Sequence, residues 1–520
     1  MTAAQWVNTV MIVTYIAALA VLGLHFSRRQ TSTETYFVAR RAIPGWAMGV
    51  SLLGTVITTM TFVSYPGAAY AGDWSLMVPS FMFLGIPLLV GTIIVPFYRH
   101  VVRMSAYEYF GKRFGAPVRT YSSFMFAVNH MTKMSFVLYV LVLTVNSMTG
   151  WRMDWVLLST SAVTILYAWI GGMEAIIWAT VIQGILLWSG ILVALGYLFY
   201  VIPRSPAEIV RVAWDAHKFS MGSASLSLTS PSVLVLLVYG TFFYFQRYAA
   251  DQTVVQRYLV ARSDRQAWRG VLLGAGMCIP VWLLFMFLGT LLWSYYRVTG
   301  EALPGRLTKA DQVFPYFIVT HLPPGIPGLF LAALFGAGIS MLASDLNSLG
   351  AIFVEDFWRR RRPSADDALH LRLGRRAVLV GGLIASGSAW WLAHSQGSAL
   401  ALWYAASSIV AGGLAGLFLL AFLSARATST GALAGIVVSI VFSIWATLTY
   451  GSHPILSATR LRYPWHEYTI GAAGHLLLVA TGILVSRMFP RRLRAAYPMT
   501  FWGWLEGRRD NGMRAGLLDE

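Results

Sequence analysis

Apolar runs of about twenty residues recur along the whole of this 520-residue chain, and a helix of that length crosses the ~30 Å hydrocarbon core of a bilayer. Such runs fall at 6–26, 43–71, 76–98, 121–148, 155–170, 174–202, 233–250, 270–296, 328–358, 377–394, 400–423, 431–450 and 468–488. That makes thirteen expected spans, of which 155–170 is the shortest. Hydrophobic residues reach 57% and charged residues only 12%, far from the balance of a soluble domain. The chain reads as an all-α, multi-pass integral membrane protein.

A net charge of +18 would first suggest a nucleic-acid partner. The arginines, however, sit in short loops between apolar runs, and no nucleic-acid, phosphate-binding or metal signature is present. The lone cysteine, Cys278, lies in an apolar run and excludes a disulfide framework. The first run has no Lys or Arg before it and Arg28-Arg29 directly after it, the reverse of a secretory signal, so it reads as an uncleaved span. Arg40-Arg41, the arginines of 99–119 and 247–269, the run 359–362, Arg375-Arg376 and those of 491–494 then share one side. The loops 72–75, 151–154 and 395–399 on the other side are nearly free of positive charge. The positive-inside rule therefore expects the N-terminus outside and the C-terminus inside. Two longer outside loops, 203–232 and 297–327, contain short amphipathic patches suited to capping a vestibule. Small-xxx-small spacings at Gly45/Gly49, Gly270/Gly274, Gly412/Gly416 and Gly431/Gly435 expect close helix packing.

The run 45–71 is wrong for a plain span. Ile57-Thr58-Thr59-Met60-Thr61 gathers hydroxyl residues at mid-depth, Gly54 precedes them, and Pro66-Gly67 follows. Threonine hydroxyls compete for backbone partners and proline lacks a donor. Irregular backbone survives in a bilayer only where protein or a watery cavity satisfies it. A broken helix there would offer carbonyls to a cation and hydroxyls to a solute; the plainer alternative is a kinked helix whose threonines bond back to their own turn. In an inverted repeat a second irregular span stands five helices later, at 233–250, where Gly240-Thr241 lies mid-span and Gln246-Arg247 at the inner end.

The run 328–358 crowds Ser340, Ser344, Asp345, Asn347 and Ser348 into about two turns, with Ser340, Ser344 and Asn347 on one face. An aspartate in a span costs ~2.5–3.5 kcal/mol on insertion scales, so it turns inward and pairs. Membrane serines also serve as glue between helices.

From Tyr36-Phe37-Val38-Ala39-Arg40 to about Gly435 the chain resembles the sodium:solute symporters. The matching stretches are GVSLLGT in the first core helix, Gly171-Gly172-Met173-Glu174-Ala175-Ile176-Ile177-Trp178 with Gln183, and Asp251-Gln252 with Gln256-Arg257-Tyr258-Leu259. Ala337-Gly338-Ile339-Ser340, Ser344, Leu346-Asn347-Ser348 and Asp356 complete the set. The pattern is most similar to the bacterial carboxylate and sialic-acid-like members and to the iodide and multivitamin-like ones. The resemblance implies a LeuT-type fold of two inverted five-helix repeats: an extra helix in 1–30, a transport core in 31–426, two peripheral helices in 427–490, and a basic cytoplasmic tail in 491–520.

It also implies a sodium ion held by carbonyls of Gly54, Ile57 and Ala337 and the hydroxyl of Ser340. The second hydroxyl position holds Met341, whose thioether is a poor ligand for a hard cation. Ala179-Thr180 stand where many relatives carry an aspartate after Trp178, so a second, deeper sodium is not expected. Asp345 replaces a commonly neutral residue, and with Ser344 is a candidate for ion coupling. For the solute, similarity to carboxylate-transporting members points to Thr58, Thr61, Ser80 and Lys133, with Arg247 a further cation. Lys133 has two rivals to a solute role: snorkelling to the interface, or an ion pair with Asp345 that would leave the pocket neutral.

The expected function is sodium-coupled symport of a small organic solute, carboxylate-bearing or sugar-like, without catalysis or cofactor other than the coupling sodium. The partners are solute, sodium and the lipid bilayer, with no nucleic acid, and the unit is a monomer in the plasma membrane, the inner membrane of a bacterium. A proton-coupled or ion-independent carrier and a solute sensor on the same fold are the rivals. The roughly 30 residues after Pro490 are too few for the signalling domain a sensor would use.

Overall fold

The computed structural model describes residues 3–305, 307, 309–395, 413–451, 461–489 and 498–507. The long helices are α1 (Ala3–Ser27), α2 (Gly45–Val56), α3 (Thr59–Ala71), α4 (Met77–Val101), α5 (Ala116–Thr149) and α6 (Met153–Val201). They continue with α7 (Val233–Ala250), α8 (Gln252–Val260), α9 (Asp264–Thr299), α10 (Ile326–Ile352), α11 (Asp367–His394), α12 (Leu414–Leu423), α13 (Ser429–Thr449) and α14 (Tyr468–Met488). Among the described residues ten helices are long and apolar enough to cross a membrane, or eleven with α2 and α3 taken as one bent span. The first part of the expected span 400–423, the glycine Gly412, the loop 395–399 beyond Ser395 and the arginines of 491–494 lie outside the described residues.

A helix of 49 residues, the length of α6, would extend about 74 Å at 1.5 Å per residue, more than twice the core of a bilayer. It is divided at Gly172, whose φ of 62° and ψ of −170° leave the helical region. This is the boundary that the sequence reading sets between 155–170 and 174–202. A Cβ here would sit 3.0 Å from the Tyr36 carbonyl and 2.9 Å from Gln30 Oε1, so a side chain is excluded by both backbone conformation and space.

The sequence reading expects close helix packing at the small-xxx-small spacings, and those of α2 and α9 pack on each other. A Cβ on Gly49 would stand 2.5 Å from the Gly270 carbonyl, and one on Gly274 2.4 Å from that of Gly49. The two small-residue stripes face each other. α1, α5, α6 and α11 pack around α10, in which only Ile326 and Leu329 escape burial. A helix buried on every side must find partners for every polar side chain it carries.

The helical course is interrupted at two places of interest. α2 and α3 are bent by 62° about Ile57 and Thr58. The second break is not at Gly240-Thr241, where α7 runs on without interruption. It comes at Asp251, between α7 and α8, with φ −90° and ψ 116°. Gly240 instead allows close packing, since a Cβ there would meet Pro79 Cα at 2.6 Å. Asp251 ends α7 because its carboxylate can cap the next helix, accepting from the Thr253 N–H at 2.8 Å and the Thr253 hydroxyl at 2.6 Å.

Both long loops carry short helices, Pro206–Asp215 and Val313–His321. Lys218 from the first loop donates to the carbonyls of Tyr70 at 2.7 Å and Gly72 at 2.9 Å, a cation at the C-terminal end of α3. Asp311 from the second lies against Gly67 and accepts from Ser64 at 3.5 Å. Burial raises the Asp311 carboxyl above its ordinary 3.8 and lowers the Lys218 amine. Near the arginine-rich ends, Asp356 accepts from Ser105 at 2.6 Å and Ser123 at 2.7 Å and pairs with Arg119 at 2.6 Å, which gives this motif residue a structural task.

Candidate functional site

The break between α2 and α3 is built by the threonines. The Thr58 N–H, which in a continuous helix would donate to the Gly54 carbonyl, turns to Thr61 Oγ1 at 3.4 Å. Gly54 thereby loses its helical donor. The Thr55 carbonyl, next in line, accepts from Arg247 Nη2 at 3.0 Å. Arg247 also pairs with Asp251 at 3.4 Å, so one guanidinium joins the two broken spans.

Beside this junction lies a cavity of about 240 Å³ lined by Thr58, Thr61, Lys133 and Arg247, with Tyr65 and Trp282 among its aromatic walls. Four of the five expected solute residues therefore meet there. Ser80 does not line it. Its hydroxyl sits 2.7 Å from that of Tyr65 and donates to the Leu76 carbonyl at 2.8 Å, so it orients a wall residue from behind. Met341 lines the same cavity.

Lys133 is not a free cation. Its Nζ lies 2.9 Å from Asp345 Oδ2, the pairing that the sequence raises as the rival to anion binding. The carboxylate of Asp345 is also 3.1 Å from His130 Nδ1, and His130 Nε2 is 3.6 Å from Asp251 Oδ1. A continuous chain of charge thus runs from Lys133 through Asp345, His130 and Asp251 to Arg247 and the Thr55 carbonyl. Arg257, fully buried, lies beside it, donating to the Thr253 carbonyl at 2.7 Å and to Ser344 Oγ at 3.1 Å. Lys133, Arg247 and Arg257 stand against the two carboxylates of Asp345 and Asp251. The set retains a positive surplus in a medium where that surplus attracts an anion strongly.

The sequence reading does not mention His130, and it names Asp251 and Arg257 only among the matching stretches, not as site residues. His130 precedes Lys133 by three residues and so shares its face of α5, the one signal that could have found it. Ser344, expected near the coupling ion, is an acceptor for Arg257. Asn347 and Ser348 are engaged with Gln256, at 2.9 and 2.7 Å.

Of the expected sodium residues, Gly54 and Ile57 lie at the first break and Ala337 and Ser340 on α10. A Cβ on Gly338 would lie 3.5 Å from Thr59 Oγ1, which sets the start of α3 against the Ala337–Ser340 turn. Ile57 is fully buried in extended conformation. The Ser340 hydroxyl lies beside that of Tyr15, yet neither completes a well-formed hydrogen bond, and Thr59 Oγ1 is likewise buried without a partner. Buried hydroxyl oxygens without partners are of the donor type that a hard monovalent cation takes.

Comparison with known proteins supplies an independent line. Residues 36–439 match the sodium:solute symporter family. The chain is 30% identical over 489 residues to the sodium/sialic acid symporter SiaT of Proteus mirabilis (strain HI4320), covering 93% of this chain and 95% of that protein. It is 29% identical over 494 residues to the sodium/sialic acid symporter NanT of Aliivibrio fischeri (strain ATCC 700601 / ES114), with 94% of each covered. A solved structure of a Na+-coupled sialic acid symporter in a substrate-bound, outward-open state superimposes with a TM-score of 0.84 at 29% identity, covering 94% of this chain and 99% of that one.

Proposed function

We infer, from the premise that the chain belongs to the sodium:solute symporter family, that it is a sodium-coupled symporter of a small solute bearing a carboxylate. It is an integral, multi-pass membrane protein, of the inner membrane in a bacterium. Sialic acids, the solutes of the relatives SiaT and NanT, are the first candidates. The single observation that carries the anionic reading is that two cations, Lys133 and Arg247, line the cavity, with a third, the buried Arg257, behind them. In the proposed binding step the solute carboxylate takes the place of Asp345 on Lys133, Arg247 adds attraction, and the Thr58 and Thr61 hydroxyls donate. Sodium is held by the carbonyls of Gly54, Ile57 and Ala337 with Ser340 Oγ, fixing the first break against α10. Asp345 and Ser344 act on coupling through Lys133 and Arg257.

The finer architecture belongs to the same proposal. Ten core helices occupy 31–426, between an extra helix in 1–30 and two peripheral helices in 427–490, with 491–520 as a cytoplasmic tail. There are thirteen spans with the N-terminus outside, and the unit is monomeric. The segregation of arginine between alternate loops supports this orientation; reporter fusions at Arg361 and after Pro490 are expected to read cytoplasmic, and an external signal from either refutes it.

The test of function is uptake into proteoliposomes with and without an inward sodium gradient. A panel of sugar acids and simple carboxylates is set against neutral sugars as competitors. Sodium-driven uptake inhibited by the acids is expected. Preference for neutral sugars would refute the anionic solute, and indifference to sodium would refute the coupling.

A further inference from the structure

An open groove lies where α9 begins beside α2, away from both the solute and the ion site. It holds about 370 Å³, and its lining includes Trp46, Arg262, Gln266, Arg269 and Leu273. Its floor is fixed by hydrogen bonds to the backbone. The Ile43 N–H donates to the Val260 carbonyl at 3.0 Å, Arg262 Nε to the Ala42 carbonyl at 2.8 Å, and the Gly45 N–H to Gln266 Oε1 at 3.2 Å. These bonds tie the entry to α2 onto the turn before α9.

Charge and depth together say what the groove takes. Arg262 and Arg269 are exposed, and among the described residues neither pairs with an acid. The acid closest to Arg262 in sequence, Asp264, is held by Arg99 at 2.7 Å and His100 at 2.8 Å. The terminal donors of both guanidiniums therefore face an outside group, and their planar forks match the oxygens of a phosphate. The depth follows from α9, whose 36 residues extend about 54 Å at 1.5 Å each, well beyond the ~30 Å hydrocarbon core. Its apolar run starts at Gly270, so Arg269 stands at the boundary between headgroups and hydrocarbon. A Cβ on Gly270 would meet the Gly45 carbonyl, which brings Trp46 to the same depth. Trp46 is 51% exposed and packs edge-on against Trp178 at 5.7 Å, as the aromatic belt of a bilayer expects. Leu273, one turn further in, is 41% exposed. The groove is thus cationic toward water and apolar toward the bilayer.

We propose that this groove binds one anionic glycerophospholipid of the leaflet at the arginine-rich end of the protein. Its phosphate rests between Arg262 and Arg269, and an acyl chain descends along Trp46 and Leu273. A soluble phosphate would satisfy the arginines but leave the apolar flank uncovered, so the lipid is the better match to the whole groove. Bound there, it bridges the entry to α2 and the start of α9 and stabilises the contact between the two helices. Anionic lipid attracted to basic residues at the membrane surface supplies the headgroup. The proposal stands apart from the symport reading, since it depends on neither the solute nor the coupling ion.

The experiment uses the purified full chain in a neutral detergent and follows its melting temperature as phosphatidylglycerol is added. Phosphatidylcholine with the same acyl chains and inorganic phosphate form separate arms. Phosphatidylglycerol is expected to raise the melting temperature saturably, and the other two to leave it unchanged. Arg269→Ala is expected to raise the half-saturating phosphatidylglycerol concentration fivefold or more, and Arg262→Ala combined with it to abolish saturation. Arg265→Ala removes another exposed charge from the same end of α9 but outside the groove lining, and is expected to leave the titration as it was. An unchanged titration in Arg269→Ala overturns the proposal. An equal loss in Arg265→Ala, or an equal response to phosphatidylcholine, overturns it too, because the effect would then be general to the surface. A shift with inorganic phosphate as large as that with phosphatidylglycerol overturns the lipid in favour of a soluble phosphate. Should the double variant fail to fold, Arg269→Ala against Arg265→Ala decides alone.

Discussion

Asp345→Asn separates the two ways in which Lys133 could meet an anion. Lys133 Nζ lies 2.9 Å from one oxygen of Asp345, and His130 lies 3.1 Å from the other. A solute carboxylate must displace that contact or share it. A hydrogen bond to a charged group contributes about 1.5–3 kcal/mol, and each 1.4 kcal/mol is about a factor of ten in affinity. Removing the competitor is therefore expected to tighten binding of an anionic solute about ten- to a hundredfold.

The same substitution weakens the empty protein. Breaking a buried ion pair by removing one partner typically costs about 3–5 kcal/mol, and the loss here falls toward the lower end because the side chain of Lys133 is 27% exposed. The substituted protein should melt earlier than the parent without solute and recover much of the difference with it. Titration calorimetry in saturating sodium measures the affinity, and melting curves with and without solute measure the stability. Anion binding that is no tighter in Asp345→Asn, or a neutral sugar that gains as much as the acid, would refute the displacement argument.

Lys133→Ala is expected to weaken anion affinity about tenfold or more, one charge-assisted contact being lost, while leaving neutral competitors unmoved in the same uptake assay. Met341→Ser is expected to lower the sodium concentration needed for half-maximal uptake and Ser340→Ala to raise it, both read from sodium titrations of uptake. Asp311 carries a carboxyl raised by burial above 3.8, so in the window just above that value the folded state binds more protons than the unfolded one, and stability falls as pH rises through it. Asp311→Asn should therefore melt later than the parent at pH 7 and converge with it toward the lower edge of that window, as melting curves across pH would show.

Much of the first break is legible in the chain. Paired threonines after a glycine, in a run too apolar to leave the bilayer, can hardly form an ordinary helix, and the Thr58–Thr61 cap is a local event three residues long. The second break is harder. Gly240 attracts attention because glycine permits a break, yet in a membrane it equally permits two helices to touch, and here Pro79 occupies the space. The true break rests on the Asp251 side chain capping Thr253, a pattern that is unremarkable in sequence until the helix is known to end there. The pairing of Lys133 with Asp345 spans 212 positions; each residue is visible alone as an intramembrane charge, but which charges meet depends on the packing of α5 on α10. Ser80 shows the converse, a residue at the expected depth that faces a wall tyrosine instead of the cavity.

The position of Arg247 gives the charge chain a consequence for transport. This one side chain lines the cavity, holds the Thr55 carbonyl of the first broken span, and pairs with Asp251 at the second. A solute carboxylate entering the cavity competes with Asp251 for Arg247 as it competes with Asp345 for Lys133. Both displaced carboxylates flank His130, so the same ring is left between two less satisfied acids when solute is bound. Binding energy gained at the cavity is then partly spent in loosening the contacts that tie the two breaks together. Only interactions that differ between two conformations can shift their balance. The contacts of Arg247 join the two interrupted segments, the kind of backbone at which transporters with inverted repeats build their sites.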